Sequence, residues 1–108
     1  MPAWPLRRAL VTGPSMAPAL RHGDQVLVLL GGTTLRTRPG EIVVVQLPDG
    51  TLSVKRLTRA ADGGVWVEGD NPFGSTDSRD LGLLPASAIR GRVLLRLWPR
   101  PGHIRRSP

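Results

Sequence analysis

At 108 residues the chain is expected to hold one domain, residues 1–108, large enough to bury a single core but not two. It has no cysteine, which excludes disulfides, thiolate catalysis and cysteine-ligated zinc, and its only imidazoles, His22 and His103, stand in no metal-ligand spacing, so neither a metal nor another cofactor is expected. A net charge of +7 raises nucleic-acid binding, but the arginines are scattered, tyrosine is absent, and no helix-turn-helix or RNA-binding signature accompanies them, leaving at most weak attraction to acidic surfaces or anionic lipid.

In chain order, residues 1–12 form a lead-in in which Leu6, Ala9, Leu10 and Val11 can make a short strand or packed arm. No segment here has the apolar core of a signal peptide. The longest charge-free apolar run, Gln25 to Leu35, falls short of the ~18–20 residues a membrane span needs. The expectation is a protein without a membrane anchor, placed in the cytoplasm. Gly13 to Leu20 is a stiff irregular loop, since Pro14 and Pro18 forbid a regular helix or central strand. Gln25–Leu30 reads as a strand ended by Gly31-Gly32, and Thr33 to Gly40 as a polar connection closing in a Pro39-Gly40 turn. Glu41–Leu47 is a β-branched buried strand. Pro48-Asp49-Gly50 turns it into a partner over Thr51–Thr58, where Leu52, Val54 and Arg56 share one face and Ser53, Lys55 and Leu57 the other. Val65–Glu68 is another short strand. Gly69 to Gly82 reads as a long loop of the functional kind, Pro85–Ala88 as a helical turn and Ile89–Trp98 as the last strand. The core is expected over about 11–98, with 99–108 a flexible tail. The fold class that follows is mainly β: coiled antiparallel sheet, barrel-like, in one small domain.

Two residues suggest chemistry. Of 15 lysines and arginines, Lys55 is the only lysine. A chain that uses arginine elsewhere yet keeps one lysine in a β-rich stretch fits a need for an amine that can lose its proton, which arginine cannot do. Ser15, in the stiff loop, is a poor nucleophile without a base, and serine with neutral lysine is a recognised pairing. Burial among apolar groups lowers a lysine pKa by up to ~3–5 units from about 10.4, and Val54, Leu57 and Ile42–Val45 can supply that burial.

Three stretches strengthen this reading. Ser15-Met16-Ala17-Pro18-Ala19-Leu20 followed by Gly23-Asp24-Gln25-Val26-Leu27-Val28 resembles the serine box of the type I signal peptidases. Val54-Lys55-Arg56-Leu57 resembles their lysine box. Gly69-Asp70-Asn71-Pro72-Phe73-Gly74-Ser75-Thr76-Asp77-Ser78-Arg79 resembles their third box. The resemblance spans roughly residues 11–98. It implies a signal peptidase/LexA-like fold and a serine endopeptidase acting on a protein substrate. Ser15 would be the nucleophile, with its N–H in the oxyanion hole, and Lys55 the base. Ser75 would orient Lys55, Asp77 and Arg79 would form an ion pair, and Gly69, Asp70 and Asn71 would be structural. Met16 is expected either to help line the substrate pocket or simply to pack. Gly13 stands where some signal peptidases carry a second oxyanion-hole serine, and neither an anchor nor the large inserted β domain is recognisable.

Within this resemblance, the nickel-type superoxide dismutase maturation proteases fit the short chain best, which implies a dismutase precursor as partner and removal of its N-terminal extension. The alternatives are a soluble general signal peptidase I-like protease, a LexA-like self-cleaving regulator, and a non-enzymatic β-barrel adaptor or nucleic-acid module.

Overall fold

The computed structural model describes residues 5–31, 37–74 and 76–104. Residues 1–4, 32–36 (the first half of the Thr33–Gly40 connection among them), Ser75 and residues 105–108 lie outside that set. Six strands form one antiparallel sheet: β1 (Leu6–Leu10), β2 (Gln25–Leu30), β3 (Ile42–Gln46), β4 (Leu52–Ala61), β5 (Gly64–Glu68) and β6 (Ile89–Trp98). Their order is β1-β2-β6-β3-β4-β5. The mainly-β antiparallel expectation therefore holds, but β1 and β5 remain edges and the sheet does not close into a barrel.

Period-2 alternation puts side chains on both faces. Val43 and Val45 enter one apolar cluster with Leu57, Val65, Val67, Leu84 and Ile89. Their neighbours Ile42 and Val44 enter another, with Val11, Met16, Leu20, Val26, Val28 and Val93. A slip of one residue in β3 would exchange the two sets, so its register is strongly determined. The β3–β4 hairpin closes as its Pro48-Asp49-Gly50 turn predicts: the Leu47 N–H donates to Thr51 O at 2.8 Å, and Asp49 Oδ1 accepts the Thr51 N–H at 2.9 Å. That register sets Lys55 opposite Val43.

Two connections differ from the sequence reading. The stretch from Gly69 to Gly82 is not structureless throughout: it contains a four-residue helix, α1 (Ser78–Leu81), capped by Asp77. Past β6 the chain folds back, with Gly102 and Arg96 exchanging backbone hydrogen bonds at 2.9 and 3.0 Å and Ile104 packing on the second cluster.

Candidate active site

The serine loop is pinned at its base. The Val11 N–H donates to Asp24 O at 2.8 Å, and the Gly23 N–H donates to Val11 O at 2.8 Å. Inside that closure Gly13 takes a φ of +81°, a left-handed backbone that glycine adopts without steric cost. Its N–H donates to His22 Nδ1 at 2.9 Å. Two residues on, Ser15 is partly exposed. It lines a groove of about 80 Å³ together with Leu10, Val11, Thr12, Leu52, Ser53 and Val54. The last three immediately precede Lys55 on β4. Met16, expected either at the substrate pocket or in the packing, is only 1% exposed and belongs to the second apolar cluster, so its visible role is packing.

The third box docks on the serine loop. The Asn71 N–H donates to Ser15 O at 2.9 Å, and Asn71 Nδ2 donates to Pro14 O at 3.2 Å. Gly74 approaches so closely that a Cβ there would lie 2.9 Å from the Pro14 ring. Asp70 reaches the lysine strand by accepting from Arg56 Nε at 3.2 Å and Nη2 at 2.7 Å. Arg56 itself is buried and also donates to Gly40 O at 2.8 Å. A bidentate, charge-assisted pair of this kind fixes orientation as well as distance. The three sequence boxes are thus joined by specific bonds, with Asp70 and Asn71 as the connectors.

Asp77 is fully buried at 0% exposure. Oδ2 accepts the Gly69 N–H at 2.8 Å and Arg79 Nη2 at 2.6 Å, while Oδ1 accepts Arg79 N–H and Nε–H at 3.0 and 3.1 Å. Arg79 Nη2 also donates to Gly69 O at 3.0 Å. The Asp77–Arg79 pair therefore locks the start of the third box to its end. The neighbouring Ser78 is buried and its hydroxyl accepts the Val67 N–H at 2.9 Å, tying α1 to β5.

Lys55 is 2% exposed. Burial lowers its pKa from the ordinary lysine value, the Asp77 carboxylate partly opposes this, and the Arg79 guanidinium adds to the lowering. Its ammonium form is disfavoured chiefly because its side chain is out of water. Ser75, the residue expected to orient it, lies outside the described residues.

Sequence reasoning did not single out Arg56, Ser78 or His22. Alternation along β4 carries a signal for Arg56, because it must leave the strand on the face opposite Lys55. Ser78 carries one in its place within the third box. For His22 the only signal is its nearness to the serine loop. Among the described residues no cluster of histidine and carboxylate side chains could hold a metal ion.

Residues 8–93 match the Peptidase S24-like family. Over 124 residues the chain is 34% identical to mitochondrial inner membrane protease subunit 1 of Xenopus tropicalis, spanning 92% of this chain and 74% of that one. It is 36% identical over 115 residues to the mitochondrial ATP-independent inner membrane protease subunit 1a of Arabidopsis thaliana, spanning 82% and 68% respectively. The human subunit 1 is 33% identical over 124 residues, spanning 92% and 75%. These relatives overturn the cytoplasmic placement drawn from the sequence, since each is named for an inner membrane. No helix among the described residues is long and apolar enough to cross one. Nor is any of the three named for dismutase maturation. By the extent of the family match and by these relatives, the chain is a protein of the Peptidase S24-like family.

Proposed function

We propose that the protein is a general signal peptidase I-like serine endopeptidase, which removes N-terminal segments from precursor proteins at a membrane face, with Ser15 as nucleophile and Lys55 as base. One observation carries this reading: the chain's single lysine is buried with its pKa lowered by that burial, on the strand whose preceding residues share a groove with Ser15. A surface lysine would stay protonated at neutral pH and could not accept a proton.

In the proposed reaction, neutral Lys55 takes the Ser15 hydroxyl proton as Oγ attacks the scissile carbonyl. The Ser15 N–H stabilises the oxyanion; the Gly13 N–H is already committed to His22. The Lys55 ammonium returns the proton to the departing amine as the C–N bond breaks. Lys55 then deprotonates a water, which attacks the ester, and as the bond to Ser15 Oγ breaks the Lys55 ammonium returns the proton to Oγ, releasing free Ser15 and the new carboxyl group. An extended substrate would run through the groove beside Leu10 and Leu52, whose volume of about 80 Å³ suits a small side chain before the cut.

The test is cleavage of a precursor bearing an Ala-x-Ala leader, with Ser15→Ala as control and N-terminal sequencing of the product. Serine-dependent release of the mature chain is expected. Equal cleavage by the alanine variant would overturn the assignment of the nucleophile. A nickel superoxide dismutase precursor in a parallel reaction tests the narrower substrate reading, which rests on the length and arginine-rich composition of the sequence.

A further inference from the structure

Four backbone and side-chain bonds close the loop that carries Ser15, and they form a ladder. The first two rungs are backbone pairs, Val11 N–H to Asp24 O and Gly23 N–H to Val11 O, both at 2.8 Å. A third holds the return segment, where the Arg21 N–H donates to Asp24 Oδ2 at 3.0 Å. The fourth is made by an imidazole, the Gly13 N–H donating to His22 Nδ1 at 2.9 Å. It is the rung nearest the nucleophile in sequence, and it acts on the residue whose backbone is left-handed, with φ +81°. Beyond it come Pro14, whose carbonyl accepts the Ala17 N–H at 3.1 Å, and Ser15, whose carbonyl is held by Asn71. The Ser15 peptide is therefore clamped from the C-terminal side by the third box and from the N-terminal side by His22.

We infer that His22 is a positioning residue for the peptidase reaction: its Nδ1 fixes Gly13 and so sets the direction of the Ser15 N–H and hydroxyl. This role rests on the proposed peptidase reading and adds to it a residue outside the three boxes. For Nδ1 to accept, the imidazole must be neutral with its proton on Nε2. The acceptor is needed at one place only, one bond beyond Cγ, which an asparagine Oδ1 can also occupy and a glutamine Oε1 cannot.

That difference supplies the test. His22→Ala and His22→Gln are expected to lower kcat for the leader-bearing precursor by about 10- to 100-fold, as for other small misplacements of a reacting group, with KM little changed. His22→Asn should recover most of the loss. Hydrogen exchange at the Gly13 amide, read by NMR, should be slow in the wild type and His22→Asn and fast in the other two. Full activity of His22→Ala and His22→Gln would overturn the positioning role. Unchanged Gly13 exchange in those variants would overturn the rung itself. Absence of any Ser15-dependent cleavage by the wild type would instead sink the peptidase reading alone, and the exchange series would still decide the rung.

Discussion

One face of the sheet is treated in two ways. On the β3-β4-β5 half, Val43, Val45, Leu57, Val65 and Val67 lie under the returning chain, against Leu84 and Ala88, with the buried Asp77 and Ser78 nearby. On the β1-β2-β6 half, the aligned row Leu10–Gln25–Trp98 opens outward, with Leu10 60% and Trp98 56% exposed. Lys55 belongs to the covered half, opposite Val43. The cover excludes water, and exclusion of water is what lowers the lysine pKa. The returning segment thus both covers the half of the sheet that holds Lys55 and braces the serine loop through Asn71.

The largest loss is expected for Lys55→Arg, which under the proposed reading replaces a buried amine able to stand neutral with a guanidinium that stays charged and cannot accept a proton. A fall in kcat of at least about 10³-fold is expected, as for loss of one member of an acting unit. The sign of the pH dependence follows from the same burial. Because Lys55 titrates below its ordinary value, activity should rise as pH rises through that lowered pKa and level off above it. Stability should also rise with pH between the lowered pKa and about 10.4, since there the unfolded chain binds a proton the folded chain does not. A rate profile that climbs only near pH 10 would show Lys55 to be solvated in the working enzyme.

Next in size is Asp77→Asn. Both carboxylate oxygens face donors, Gly69 N–H and Arg79 Nη2 on one side and Arg79 N–H and Nε on the other. Either orientation of the amide would set an NH₂ group against donors. A loss of about 3 kcal/mol is expected in chemical denaturation. The variant also removes the charge that raises the lysine pKa, so the activity profile of whatever remains folded should move to lower pH. A shift to higher pH would refute the electrostatic account.

These features were unequally legible in the sequence. Strands such as Gln25–Leu30 and Ile89–Trp98 could be read because apolar runs bounded by glycine and proline encode them locally. Ser15 and Lys55 could be nominated because a stiff loop and a lone lysine are visible one residue at a time. The locking of the boxes could not. Arg56 with Asp70, and Asn71 with the Ser15 carbonyl, join residues 14 and 56 positions apart, and such pairings depend on how the sheet brings the loops together. Barrel closure failed for a related reason: alternation encodes faces, whereas closure depends on whether β1 meets β5, which no local pattern specifies. Likewise α1 is a single turn held by Asp77, too short to leave a helical period.

A last pair of variants sets the two halves of the sheet side by side. Leu57→Ala on the covered half should cost about 2–5 kcal/mol, because the side chain is fully buried and leaves a cavity. Trp98→Ser, a larger truncation on the open half, should cost less than about 1 kcal/mol, because more than half of that residue already meets water. The two variants invert the order that side-chain size alone would give, so the pair tests exposure and not hydrophobicity. Equal losses would mean that the row from Leu10 to Trp98 is covered in solution. A Tm that rose with protein concentration would then identify the cover as a second copy of the chain, since only an associating partner makes stability depend on concentration.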